Sequence, residues 1–97
     1  MLIVAGTGYV DPHHRAALLE SLAPALRQAR TTPGCLDYVV AADPIEPDRV
    51  NIYERWESEA HLADHLAGIA RTAPPMPEVR GVEVVRYDIS GSRPLQG

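Results

Sequence analysis

Between Val50 and Leu66 the chain changes its period, and that change limits the folds open to it. Val50, Ile52, Glu54 and Trp56 alternate with Asn51, Tyr53 and Arg55, the period-two pattern of a strand rich in β-branched and aromatic residues. At Ser58 the pattern turns helical. Ser58 can accept a hydrogen bond from an orphan N–H of the first turn, and Glu59 sets negative charge at the positive end of the helix dipole. Leu62, His65, Leu66 and Ile69 then recur at helical spacing as one face. An apolar helix folding back over its own strand would bring the only tryptophan, Trp56, close to His65. This strand–helix corner is where a site is expected.

The flanking segments give the rest of the order. Leu2 to Val10 reads as a first strand. Asp11-Pro12 reads as an N-cap followed by proline at the first helical position, and Leu18, Leu19, Leu22, Leu26 and Ala29 form the stripe of a first helix. Pro24 should kink or divide that helix, and Thr31-Thr32-Pro33-Gly34 ends it. Cys35 to Ala42 is a second strand, with Leu36, Tyr38 and Val40 expected on one face. The connection Asp43-Pro44-Ile45-Glu46-Pro47-Asp48 is too short for a crossover helix, so the second and third strands should form an antiparallel hairpin. Ala73-Pro74-Pro75-Met76-Pro77 reads as a stiff connector, Val82 to Ile89 as the last strand, and residues 90–97 as a polar tail.

This order, βαββαβ, predicts a single α+β domain over residues 1–97: a ferredoxin-like, four-stranded antiparallel sheet with two helices on one face. Either register of the first and last strands leaves Val or Ile on both faces, the uncovered one included. An uncovered apolar face implies a partner, and a homodimer with two sheets packed face to face is expected.

Composition removes several functions. The net charge of −4, without a basic cluster, argues against nucleic acid. All 9 basic residues are Arg, which excludes Schiff-base chemistry on a lysine and a Walker-type phosphate loop. The single Cys35 cannot form an internal disulfide and reads as an inert thiol. No apolar run has membrane-spanning length and no basic leader is evident, so a soluble cytoplasmic protein is expected. Gly6-Thr7-Gly8 lacks the third glycine of a dinucleotide loop, where Asp11 would repel a pyrophosphate. His61 and His65 lie four apart but have no third ligand at a diagnostic spacing, so no metal is expected.

The run Glu54-Arg55-Trp56-Glu57-Ser58-Glu59 leading to His65-Leu66, with Pro33-Gly34-Cys35 before the second strand, resembles the antibiotic biosynthesis monooxygenase (ABM) family. The resemblance implies a dimeric α+β barrel of ferredoxin-like protomers. It also implies an oxygenase that converts a small aromatic hydroquinone or phenol with dioxygen and no cofactor. Such chemistry needs an apolar pocket for a flat ring and a base to form the phenolate.

On that reading His65 is the base, its ordinary pKa of about 6.5 suiting proton transfer near neutrality, and Glu54 orients it. Trp56, Tyr38, Ile52, Leu62 and Ile69 would line the pocket. The chain departs from the family's haem-degrading branch, which has a second Trp where His65 stands and a haem-ligating His where Pro75 stands, so haem is not expected. It departs from the polyketide-tailoring oxygenases too, placing Ile52 where they carry Asn. Two alternatives accompany the oxygenase: a non-catalytic dimeric small-molecule-binding or accessory module, and an isomerase of an enolisable metabolite. The competing readings are a histidine packed at the core's edge and bonded to Glu54 for His65, a charged group at a strand end for Glu54, a core anchor for Trp56, and cross-strand packing for Tyr9, Tyr38 and Tyr53.

Overall fold

A computed structural model describes residues 1–72 and 79–96. The elements follow in the order β1 (Leu2–Tyr9), α1 (Arg15–Thr31), β2 (Cys35–Ala42), β3 (Arg49–Trp56), α2 (Glu59–Thr72) and β4 (Arg80–Asp88). The four strands form one antiparallel sheet in the order β2-β3-β1-β4, the ferredoxin-like βαββαβ arrangement. The connector expected at residues 73–77, Pro75 included, lies outside the described residues.

Register assigns the faces. Leu2 stands opposite Trp56, Val4 opposite Glu54 and Gly8 opposite Val50. These even-numbered positions point to the helices, where they build two small cores. Leu2, Trp56 and Leu62 form one, with Val4, Cys35 and Tyr38 against it. Val10, Leu18 and Val50 form the other, with Leu19, Leu22 and Val40 packed around it. Trp56 and Val10 are fully buried, so the centre of each core excludes water.

Local chemistry corrects four expectations. Asp11 does not cap α1. Its Oδ1 accepts the His13 N–H at 2.9 Å and its carbonyl accepts the His14 N–H at 2.8 Å, closing a turn that delays the helix to Arg15. Pro24 does not divide α1, which runs unbroken through it. The lost hydrogen bond is offset by burial of Leu18 and Ala29 on either side. A bulge between Cys35 and Asp37 sets two residues of β2 against Trp56 alone. Cys35 and Tyr38 therefore both face the core, while Leu36 is thrown out to solvent, 45% exposed. Leu66 likewise leaves the inner face of α2, at 55% exposed, because the stripe that meets the sheet is only Leu62 and His65 wide.

Two contacts fix the frame around the corner. One terminal nitrogen of Arg15 donates to the carbonyls of Asp43, Glu46 and Arg49, tying α1 to the β2–β3 hairpin. At the opposite end, the Glu57 N–H donates to the carbonyl of Gly34 at 2.8 Å, joining the α1–β2 turn to the entry of α2. Gly34 has φ of 84°, and a Cβ there would collide with the His61 ring.

Candidate functional site

Trp56 ends β3 on the helix-facing side, and α2 starts three residues later. Ser58 caps α2: its carbonyl accepts the Leu62 N–H at 3.2 Å and its Oγ accepts the His61 N–H at 3.3 Å. This tight entry folds α2 back over β3. His65, two turns in, lands on the tryptophan, with ring centroids 4.7 Å apart and planes inclined at 34°. Tyr38 approaches from β2, its centroid 5.1 Å from His65 and 6.4 Å from Trp56, edge-on to both.

The indole nitrogen, the phenol hydroxyl and His65 Nε2 have defined partners. His65 Nε2 lies 3.3 Å from the Tyr38 hydroxyl. The Trp56 indole N–H donates to Glu54 Oε1 at 2.9 Å. Glu54 is buried, at 8% exposure, on the same face two residues before the tryptophan. The orienting link expected from Glu54 to His65 is therefore made to Trp56, and the hydroxyl of Tyr38 is what meets the imidazole.

Burial dominates the electrostatics. It drives the Glu54 carboxyl above the usual carboxylate range, against the lowering effect of the indole bond. It lowers the His65 imidazole, so the ring is neutral at pH 7. The Tyr38 phenol is pushed up to about 12, first by desolvation and then by the nearby Glu54 and Cys35, and remains protonated. The Cys35 thiol is raised by burial as well, the opposite of an activated nucleophile.

The remaining expected lining residues divide. Leu62 is buried against Trp56 and Leu2. Ile52 stands on the helix-facing side of β3, opposite Gly6 and Val40. Ile69 is 41% exposed and opens, with His65, into a groove of about 370 Å³ between α1 and α2. The other walls of this groove are Ala25, Ala29, Gly68, Gln28, Thr32 and Asp64. None of these is a site residue by sequence: Ala29 falls on the first helix's apolar stripe and Thr32 in the run that ends it. The available signal was Ala25, Ala29 and Gly68, small residues on two facing helices where backbones can stand apart without filling the space between. Among the described residues, no group of three or more His, Cys, Asp or Glu could hold a metal ion. No helix there is long and apolar enough to cross a membrane.

His65 thus has one side on an aromatic, water-excluded wall and the other on an open groove, an arrangement suited to moving a proton to or from a flat ligand. The fold as a whole has known counterparts. Over 100% of both chains the fold matches a Deinococcus radiodurans protein assigned to the antibiotic biosynthesis monooxygenases, with TM-score 0.76 and 21% identity. A Chloroflexus aurantiacus protein of the same assignment shares 28% identity over 96% of both chains, with TM-score 0.65. MhuD, a haem degrader of Mycobacterium tuberculosis solved with two haems in its active site, matches with TM-score 0.70 and 15% identity over 97% of this chain and 100% of its own. No curated protein matches the chain. The model of the antibiotic biosynthesis monooxygenases matches residues 1–73, a span that holds β1 to β3, the Trp56–His65 corner and the described residues of the groove wall. With 73 of 97 residues matched, the chain belongs to the antibiotic biosynthesis monooxygenase family.

Proposed function

We propose that this protein is a cofactor-independent monooxygenase of small aromatic phenols or hydroquinones, with His65 as the base and dioxygen as the oxidant. The observation that carries the reading is the position of His65 between the Trp56–Tyr38 wall and the groove. A neutral imidazole has one lone-pair nitrogen. His65 Nε2 lies 3.3 Å from the Tyr38 hydroxyl; in this scheme Nε2 carries the proton of that contact, and the Nδ1 lone pair takes the ligand's phenolic proton. The resulting phenolate is electron-rich enough to pass an electron to dioxygen. One oxygen atom enters the ring as a carbonyl and the other leaves as water. The four electrons come from the phenol itself, so no external reductant is needed.

Glu54 is a positioning residue in this scheme. It fixes the indole of Trp56, which supports the face of His65. Tyr38 holds His65 Nε2, Leu62 packs on Trp56, Ile52 stands on the same helix-facing side of β3, and Ile69 contributes an apolar edge to the groove. Haem fits the described residues poorly: the described groove wall offers no arginine for its carboxylates, and His65 Nε2 is turned to Tyr38. The open sheet face supports a homodimer as the working form.

A second reading, a non-catalytic small-molecule-binding module, draws on the engagement of Glu54 with Trp56, which leaves the imidazole without a carboxylate partner. Oxygen consumption by metal-stripped protein on a panel of phenols and hydroquinones separates the two. The oxygenase predicts turnover that survives chelator and disappears in His65→Ala. Turnover retained by that variant would refute His65 as the base.

A further inference from the structure

We infer that His61 is a positioning residue: its ring, seated on Gly34 and held by Ser58, sets the rotation of α2 and with it the place of His65 over Trp56. The catalytic meaning of that placement rests on the reading of His65 as the base; the placement itself does not. Ser58 Oγ lies 2.7 Å from His61 Nδ1 and accepts the His61 backbone N–H at 3.3 Å, so one hydroxyl can hold both the backbone and the ring. The Cβ, Cγ and Cδ2 of His61 fill the space that a Cβ at Gly34 would need. Gly34 is in turn fixed to the strands. Its carbonyl accepts the Glu57 N–H at 2.8 Å, and the next residue, Cys35, stands opposite Trp56 in the sheet. His61 therefore pegs α2 to the strand pair that carries Trp56 and Tyr38.

A surface helix usually takes its rotation from an apolar stripe about 100° wide or more. On α2 that stripe is narrow: Leu62 is buried, but Leu66 and Ile69 are exposed. A narrow stripe lets a helix roll at little cost. The solvent-exposed ion pair of Arg86 with Glu59 is screened by water and holds it only weakly. His61 and His65 are four residues apart, so they share one side of the helix, separated by about 40° of rotation and about 6 Å of rise. A roll that lifted the His61 ring off Gly34 would carry the His65 ring across the indole and away from the Tyr38 hydroxyl. Thr32, on the groove wall, belongs to the same turn as Gly34, its carbonyl accepting the Cys35 N–H at 3.1 Å. The peg thus holds His65 and one wall of its groove in a single frame.

The test is proton NMR of the imidazoles across pH in the full chain, with the His65 signals identified by their loss in His65→Gln. The indole ring current shifts the protons of a ring stacked on it, and burial makes His65 titrate below the ordinary value of about 6.5. In His61→Ala the His65 protons should return toward the positions of a free imidazole and titrate closer to about 6.5. Asn sets Cβ, Cγ, an amide oxygen and an amide nitrogen where His has Cβ, Cγ, Nδ1 and Cδ2, so His61→Asn should keep both signatures of the wild type. Ser58→Gly removes the hydroxyl but retains an acceptable helix start. It should move His65 in the same direction as His61→Ala, and it decides the outcome should His61→Ala fail to fold. Unchanged His65 signals in a folded His61→Ala or in Ser58→Gly would overturn the inference, as would equal displacement in His61→Asn and His61→Ala. Where the oxygenase operates, His61→Ala should lower kcat/KM about 10- to 100-fold, the scale of a misplaced catalytic group. His65 displaced as expected, with no turnover even in the wild type, would sink the oxygenase and keep the peg. Turnover with unmoved His65 signals would do the reverse.

Discussion

Trp56 and Glu54 are joined on one face of one strand, the indole N–H donating to a buried carboxylate 2.9 Å away. Each residue makes the other's burial tolerable. Removing the acceptor in Glu54→Ala leaves an indole N–H without a partner in a dry core, and the expected loss is about 1–3 kcal/mol of stability. Glu54→Gln keeps an acceptor and should lose less. Urea unfolding followed by the emission of Trp56, the only tryptophan, reads both. Equal losses in the two variants would show that the hydrogen bond is not what matters.

Glu54 and His65 should impose opposite slopes on stability against pH. Burial raises the Glu54 carboxyl, so the folded chain holds that proton more tightly than the unfolded chain does. Its contribution is present below the ordinary carboxylate range and is lost as pH rises through the raised value. His65 is lowered by burial, so its contribution is present above the ordinary imidazole range and is lost as pH falls through the lowered value. Unfolding free energies between acid and neutral pH should therefore decline toward neutrality relative to Glu54→Gln, and decline toward acid relative to His65→Gln. Slopes of the same sign in both comparisons would contradict the burial argument.

The His65 shift also bears on the proposed reaction. An imidazole lowered by burial is available as a base down to pH values below the ordinary range, so the acid limb of kcat/KM should lie below about 6.5. Tyr38→Phe removes the hydroxyl that holds His65 Nε2 and should reduce kcat/KM about five- to tenfold, the value of one hydrogen bond of roughly 1 kcal/mol or slightly more. The phenol pushed up to about 12 should also vanish from an ultraviolet titration of that variant. Persistence of that late-titrating phenol would place it on another tyrosine.

Gly34 is a separate point of strain. Its φ of 84° disfavours any side chain, and an added Cβ would meet the His61 ring. Gly34→Ala should destabilise by about 1–3 kcal/mol. In Gly34→Ala/His61→Ala the collision is relieved while the backbone penalty remains, so a double-mutant cycle should return a favourable coupling. Strict additivity would mean that the ring moves aside at no cost.

The corner where β3 meets α2 was legible because two sharp periods adjoin there, and a helix that turns back over its own strand must set His65 near Trp56. The partner of Glu54 was harder to read. Residues two apart on a strand share a face, so the pairing with Trp56 was within reach, but pattern alone cannot say whether an indole or an imidazole takes the carboxylate. The bulge at Cys35–Asp37 was invisible because no glycine or proline marks it, and it reverses the side on which Leu36 falls. Asp11-Pro12 carries the signature of a helix start equally well as that of the turn it forms, and only the bond from His13 decides between them. The groove escaped notice since it is made by what small residues leave empty.

The face of the sheet turned away from the helices leads to the last prediction. Register aligns Val85, Ala5, Tyr53 and Val39 in one row across all four strands. Val85 and Tyr87 on the outer strand are 48% and 50% exposed. In the neighbouring row Arg55 carries a buried Nε with no hydrogen-bond partner, a group a second sheet could satisfy. An apolar row with an unmet donor beside it fits a second copy better than it fits water, as the proposed homodimer requires. Val85→Asp leaves a charge that a single chain exposes readily but a packed dimer must bury unpaired, at a cost of several kcal/mol. Sedimentation should then find the wild type dimeric and the variant monomeric, with the circular dichroism of the two unchanged. A wild type that sediments as a monomer, or a variant that stays dimeric, would mean that this face is not where two copies meet.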